Sequence, residues 1–285
     1  MKNNQIIKAI LLANLISFLF AVNAVLVKLI NIAPQFTAFY RVAIIVILLG
    51  LVLKFSGEKK IGIKNIKKYP ALVLTGILLG IHWITYFYSI HISNVAIGSI
   101  AIYTFPFFTV FLEPLIFRRQ ISLTEVFSAI LVLVGIFVIT PEWNFENNIS
   151  LGIFIGLISA FTFALRNVLT KKLFEKISDM HTMFWQAIGS GIVLLPFGLQ
   201  SEAYIMQWMD FIYIIALGLI SASSHTLFVK TQNLIKSSTL SILMSTEVVY
   251  AALMEVIIFS VYPTMNTLIG GCIILGAVVM KSLKE

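Results

Sequence analysis

Five ionisable residues lie well inside long apolar runs of this 285-residue chain: Arg41, His82, Arg166, His225 and Glu247. A charge held within hydrocarbon is costly, so such groups mark a substrate path, a proton path or a structural ion pair. Glu247 falls about ten residues into its run, near the middle of a helix of bilayer-spanning length. A carboxyl there can take up and release a proton, or serve as the partner of Arg166 or Arg41. His82 has Tyr86 four residues on, hence on the same helix face, while Trp83 is turned about 100° away. Polar-tipped aromatics on one face can hold an organic substrate by stacking and hydrogen bonding. His82 is also the second candidate for proton coupling, with an interhelical bridge as its alternative use. Tyr103, near the middle of the following run, is placed to line the same cavity.

Arg41 and Arg166 lie one to two turns from the ends of their runs. Each suits a substrate carboxylate, a gate ion pair or snorkelling to the headgroups. His225 lies toward the end of its run and ranks below these. Glu113 and Glu255 close two runs, where gate closure, capping or interfacial packing are their uses. Pro106, Pro114 and Pro196 lack a backbone donor and are expected to kink or weaken their helices. Carbonyls freed near Pro106 can face a cavity or simply shape the helix, so Pro106 is grouped with Glu113 and Glu255 as gate or packing. Gly76/Gly80 and Gly152/Gly156 have the small-xxx-small spacing of close helix contacts. His91 and His181 fall at run boundaries and are given no chemistry.

The elements that must carry these residues follow from composition. Hydrophobic residues make up 59% of the chain and charged ones 11%, with a mean hydropathy of +1.00. A soluble globule carries about 25% charged residues, so that class is excluded. Apolar runs lie near 8–30, 35–54, 69–91, 94–117 and 122–141, then near 150–172, 179–199, 209–230, 237–260 and 264–281. The fold class expected is all-α: a polytopic membrane protein of ten transmembrane helices. The first run is too long for a signal-peptide core and is read as a retained span.

Positive residues collect on the cytoplasmic side of membrane proteins. With the N-terminus inside, the inner segments hold seventeen of the 20 basic residues, among them Lys54, Lys59, Lys60, Lys64, Lys67, Lys68, Arg118, Arg119, Lys171 and Lys172. The outer loops hold Glu142, Glu146, Glu202 and Asp210, with Lys28 at a span end. Both termini are therefore expected in the cytoplasm. The net charge of +8 is an orientation signal, and no nucleic-acid partner is expected. The lone Cys272 forms no disulfide within the chain and no cysteine metal site, and neither metal nor cofactor is expected.

The two halves resemble each other. F-A-V-N-A-V-L-V-K (Phe20 to Lys28) matches F-A-L-R-N-V-L-T-K (Phe163 to Lys171). T-A-F-Y-R (Thr37 to Arg41) matches T-M-F-W-Q (Thr182 to Gln186), and E-P-L-I-F (Glu113 to Phe117) matches E-V-I-I-F (Glu255 to Phe259). Five spans per half make the second copy inverted, so the chain is read as two inverted five-helix repeats, 1–142 and 149–285. Inverted repeats characterise transporters whose sites lie near the midplane between the copies.

With its ten runs, its repeat, the T-x-F-[YW]-[RQ] segments and the glutamates closing spans four and nine, the chain resembles the EamA-type carriers of the drug/metabolite transporter superfamily. Pro106, seven residues before Glu113, fits a pattern of many members. The second copy has Val248 in place of that proline, preceded by Glu247, which matches the glutamate of a Glu-Pro pair common there. The resemblance implies a metabolite carrier, typically an exporter of amino acids or related small molecules.

The expected function is a secondary transporter moving a small organic metabolite across the cytoplasmic membrane by alternating access. A nucleobase- or nucleoside-like cargo and a facilitative channel are the alternatives. No G-x-x-x-x-G-K-[ST] loop and no H-E-x-x-H motif occurs, which argues against ATP hydrolysis and against an intramembrane metalloenzyme. The partners expected are a small-molecule substrate, the lipid bilayer and protons as coupling ions; oligomeric state is left open.

Overall fold

A helix satisfies its own backbone hydrogen bonds, which apolar surroundings leave no water to do. The long apolar runs accordingly fold as helices, and among the described residues no strand occurs. The computed structural model describes residues 3–56, 69–92, 101–139, 149–200, 206–260, 262 and 264–283. In chain order the helices are α1 (Asn3–Leu29), α2 (Pro34–Phe55), α3 (Tyr69–Ile92), α4 (Phe105–Phe117), α5 (Leu123–Ile139) and α6 (Ile149–Phe174). They continue with α7 (Asp179–Gly198), α8 (Trp208–Gln232), α9 (Ser237–Met244), α10 (Glu247–Phe259) and α11 (Met265–Ser282). Among the described residues, six stretches are long and apolar enough to cross a membrane: Asn4–Leu29, Pro34–Phe55, Tyr69–Ser89, Leu151–Phe174, Trp208–Gln232 and Ser237–Phe259. The lysine-rich connection 57–68, the expected start of span four in 93–100, and the side chains of His91 and Glu255 lie outside the described residues.

Large apolar side chains cover the outside of the bundle, and polar ones are buried among its apolar core. Leu11, Phe55, Leu115, Leu123 and Ile257 are exposed on the outer wall, while Asn23, Thr75, Ser159, Gln186, Ser190 and Ser224 are buried inside. Helices approach closely where side chains vanish. At Gly76 of α3 a Cβ would stand 2.7 Å from Gln186 Cα of α7, and Ser190 Oγ donates to the Gly76 carbonyl at 2.8 Å.

The packing is interchangeable between the halves. Exchanging α1–α5 with α6–α11 pairs α1 with α6, α2 with α7, α3 with α8, α4 with α9–α10, and α5 with α11. The contact of α3 with α6 then becomes that of α8 with α1, and α4 with α6 becomes α9–α10 with α1. The pairs α2 with α7 and α5 with α11 map onto themselves. Helix α6 runs antiparallel to α3, with Ser89 on Gly152 and His82 on Ser159. Helix α1 runs antiparallel to α8, with Asn31 on Asp210 and Asn23 on Ser221.

Span four, expected to be kinked or weakened at its prolines, and span nine, for which no break was expected, are both interrupted. Tyr103 and Thr104 form a turn before α4, and Ser245 and Thr246 separate α9 from α10. Thr104 Oγ1 donates to the Ala101 carbonyl at 2.6 Å, and its repeat mate Thr246 donates to the Leu243 carbonyl at 3.0 Å. Pro106 starts α4 rather than kinking it, as suits a residue without a donor in a first turn. Pro114 and Pro196 sit inside α4 and α7, near the ends of both. Each broken span also ends alike: Arg118 and Ser260, at matching places, adopt positive φ of 54° and 55°.

Candidate functional site

The interruptions border a cavity of about 450 Å³, whose wall includes Arg41, His82, Trp83, Tyr86, Tyr103, His225 and Glu247. It reaches the junction of α1 and α2, where Lys28, Asn31, Ile32 and Pro34 form its rim. Each wall residue is held by a specific neighbour.

Arg41 of α2 is buried, with its guanidinium carbon 4.1 Å from the Trp83 ring centroid and 5.1 Å from that of Phe87. Its Nε and Nη2 have no hydrogen-bond partner. A buried cation over aromatic faces with unmatched donors is set to receive an anionic group.

His82 of α3 is fixed by Ser159 of α6. The ring Nδ1 lies 2.8 Å from Ser159 Oγ and 3.3 Å from the Ser159 carbonyl, while Ser159 Oγ donates to the His82 carbonyl at 2.9 Å. A carbonyl only accepts, so Nδ1 carries the hydrogen and Nε2 is left as an acceptor. The His82 ring stacks on Phe163 at 4.5 Å and lies parallel to Tyr86, 8° apart in plane at 6.2 Å. Trp83, expected to face away, also lines the cavity, because α3 borders it over more than one face. Its ring meets His225 edge-on at 5.3 Å, and His225 Nδ1 has no partner.

Across the cavity stand the two interruptions. Tyr103, in the turn before α4, donates its hydroxyl to the carboxyl of Glu247, the first residue of α10. The unwound turns thereby bring a phenol from one half against a carboxyl from the other. Asn23, Phe20, Phe87, Phe105 and Phe163 complete much of the wall. Sequence spacing did not single them out, although Asn23 is the repeat mate of Arg166.

Arg166 is placed elsewhere. It is fully buried between α6 and α7, outside the cavity wall, donating to Asn167 Oδ1 at 2.8 Å and to Gln186 Oε1. Gln186 in turn donates to Thr75 at 3.0 Å and Thr170 at 2.8 Å.

Glu113 also lies away from the cavity, at the end of the bundle opposite the rim. Its carboxylate accepts the Ser237 and Ser238 backbone N–H groups at 2.7 and 2.9 Å, at the start of α9. Arg119 donates to Glu113 and to Glu125, each at 2.9 Å, and Lys171 stands 3.6 Å from Glu113. This network ties α4, α5, α6 and α9 together. Among the described residues, no group of three or more His, Cys, Asp or Glu is placed to hold a metal ion.

A family model described as the EamA-like transporter family matches this chain twice, over residues 7–140 and 150–283. The S-adenosylmethionine uptake transporter of Rickettsia prowazekii (strain Madrid E) is 25% identical over 211 residues, 72% of this chain and 69% of that protein. The pseudopaline exporter of Pseudomonas aeruginosa (strain UCBPP-PA14) is 22% identical over 284 residues, 96% of this chain and 95% of that protein. A solved crystal structure shares the fold with a TM-score of 0.78 and 15% identity, covering 97% of each chain.

Proposed function

The chain belongs to the EamA-like transporter family, and from that premise we propose a secondary carrier that moves a zwitterionic metabolite by alternating access. It is a multi-pass membrane protein with a small-molecule substrate. We read its ten spans as two inverted five-helix repeats, 1–142 and 149–285, in the cytoplasmic membrane with both termini inside. The observation that carries the substrate reading is the pairing, in one aromatic-walled cavity, of an unmatched guanidinium (Arg41) with a carboxyl (Glu247).

A substrate carboxylate sits against Arg41, and its ammonium or other cationic group against Glu247. A planar or apolar remainder lies between Trp83, Tyr86 and Phe163, where stacking stabilises it. His82 Nε2 accepts a hydrogen bond from the substrate. Amino acids and adenosyl-bearing amino acids fit this description; the names of the Rickettsia and Pseudomonas relatives support small-metabolite cargo of that kind. Export is the direction the resemblance suggests. Glu247 is the coupling group for protons, with His82 second.

Comparison of internal and external metabolites in cells with and without the protein identifies the cargo. Counterflow in proteoliposomes then tests the carrier, with labelled S-adenosylmethionine and L-tryptophan as first probes. Unlabelled cargo on the far side is expected to accelerate uptake of the labelled form. A channel gives no such acceleration, and its absence for the identified cargo rejects the carrier.

A further inference from the structure

Each half of the chain carries one arginine and one side-chain amide at matching places, but in opposite order. Asn23 matches Arg166, and Arg41 matches Gln186. In the second half the two are joined: Arg166 donates to Asn167 and Gln186 and keeps one unmatched donor, Nε, and both Arg166 and Gln186 are fully buried. In the first half the corresponding pair stands apart. Arg41 and Asn23 both line the cavity, Arg41 Nε and Nη2 have no partner, and Asn23 Oδ1 receives a long 3.4 Å contact from Ser221.

We propose that the two arginine–amide pairs are reciprocal latches, each closed when its own side of the carrier is shut and opened to present its arginine to the substrate when that side is open. The inference rests on the carrier reading above. If the halves exchange conformations, as their interchangeable packing allows, Arg41 closes on Asn23. Arg166 then leaves Gln186 and faces a cavity on the other side. The substrate's anionic group is given up by Arg41 as Asn23 takes its place, and meets Arg166 on the far side.

The swapped order gives each state one presented arginine and one latched arginine. The presented arginine leaves more of its buried donors unmatched, Nε and Nη2 of Arg41 against Nε alone of Arg166, and each such donor is unfavourable. An empty open state is therefore relieved in either of two ways, by substrate arriving or by the latch closing. This assigns Arg166, remote from the present cavity, to substrate contact in the opposite state. Gln186 and Asn23 act as positioning residues that set the balance between states.

The test uses a cysteine reporter at Val27, which lines the cavity. It is made as Val27→Cys with Cys272→Ser, in vesicles that present the rim outward, and labelled with a membrane-impermeant maleimide. Gln186→Glu turns the closed latch into an ion pair and is expected to hold the rim side open, so labelling is retained or accelerated. Asn23→Asp favours the opposite latch and is expected to slow labelling about fivefold or more, the population change that one charge-assisted hydrogen bond supports. The neutral truncations reverse the signs: Gln186→Ala slows labelling, and Asn23→Ala retains or accelerates it. Melting temperature and counterflow of the identified cargo are measured beside each variant, so that a misfolded protein is recognised and its truncation partner is read instead. The latch is overturned if the two carboxylate variants shift labelling in the same direction, or if neither Asn23→Asp nor Gln186→Ala slows it in a protein that performs counterflow. Absence of counterflow in the parent removes the carrier reading itself.

Discussion

A hydrogen bond that fixes a tautomer can matter more than the ring it holds. Ser159 holds the hydrogen of His82 on Nδ1 and so leaves Nε2 to accept. Ser159→Ala keeps the contact to the Ser159 carbonyl but removes the shorter of the two. It is expected to weaken substrate affinity about fivefold, the worth of one neutral hydrogen bond, with expression and melting temperature little changed. Apparent KM in the counterflow assay is the measurement. Glu247 separates the coupling role from the binding role. Glu247→Gln keeps an acceptor for Tyr103 but cannot release a proton, so transport in this variant is expected to lose its dependence on pH. Transport that keeps the parent's pH profile removes Glu247 from coupling. Helical spacing placed His82 and Tyr86 on one face, and both border the cavity. The same spacing could not show that the cavity spans a second face of α3. Trp83 and the Arg41 contact over its ring depend on how α2 and α8 pack around that helix, and no single run records this.

Chain breaks in matching places bring Tyr103 of one half against Glu247 of the other. Proline marked the first interruption, because Pro106 cannot donate and settles into the first turn of α4. The second interruption has Val248 at that place and was not legible as a break. The shared feature is a threonine whose hydroxyl caps the carbonyl three residues earlier, Thr104 in one half and Thr246 in the other. Such a bond competes with the helical ladder and steadies the turn. The ends of these spans carry a second shared feature, a non-glycine residue in the left-handed region. Arg118→Gly and Ser260→Gly relieve it, and each is expected to stabilise the protein by about 1 kcal/mol. Thermal unfolding in detergent measures the gain. Removing a tie acts the other way. Glu113→Ala leaves the first N–H groups of α9 and the Lys171 ammonium without their carboxylate. A loss of about 3–5 kcal/mol is expected, as for a broken buried pair, with Glu113→Gln losing less. An unchanged melting temperature in Glu113→Ala contradicts that account.

For the whole molecule, the proposed orientation rests on charges that do not line the cavity. Spread along the chain, the basic residues look unremarkable; divided between alternate loops, they fall almost wholly on one side. That asymmetry counts because Lys and Arg resist translocation while the acidic residues contribute little. On the proposed count of five spans in each half, the second copy enters the membrane from the other side. With both termini inside, as proposed, the rim at the α1–α2 junction faces outward, and the Glu113–Arg119–Glu125 network inward. On this topology, a fluorescent protein that matures only in the cytoplasm is expected to be bright when fused after the last residue. Alkaline phosphatase, active only outside, is expected to be active when fused after Glu146 and inactive when fused after Lys172. Either fusion at Lys172 or Glu146 giving the opposite result would place the rim on the cytoplasmic face. The cavity would then be the inward-facing one, and Arg41, not Arg166, would be the arginine that meets substrate from the cytoplasm.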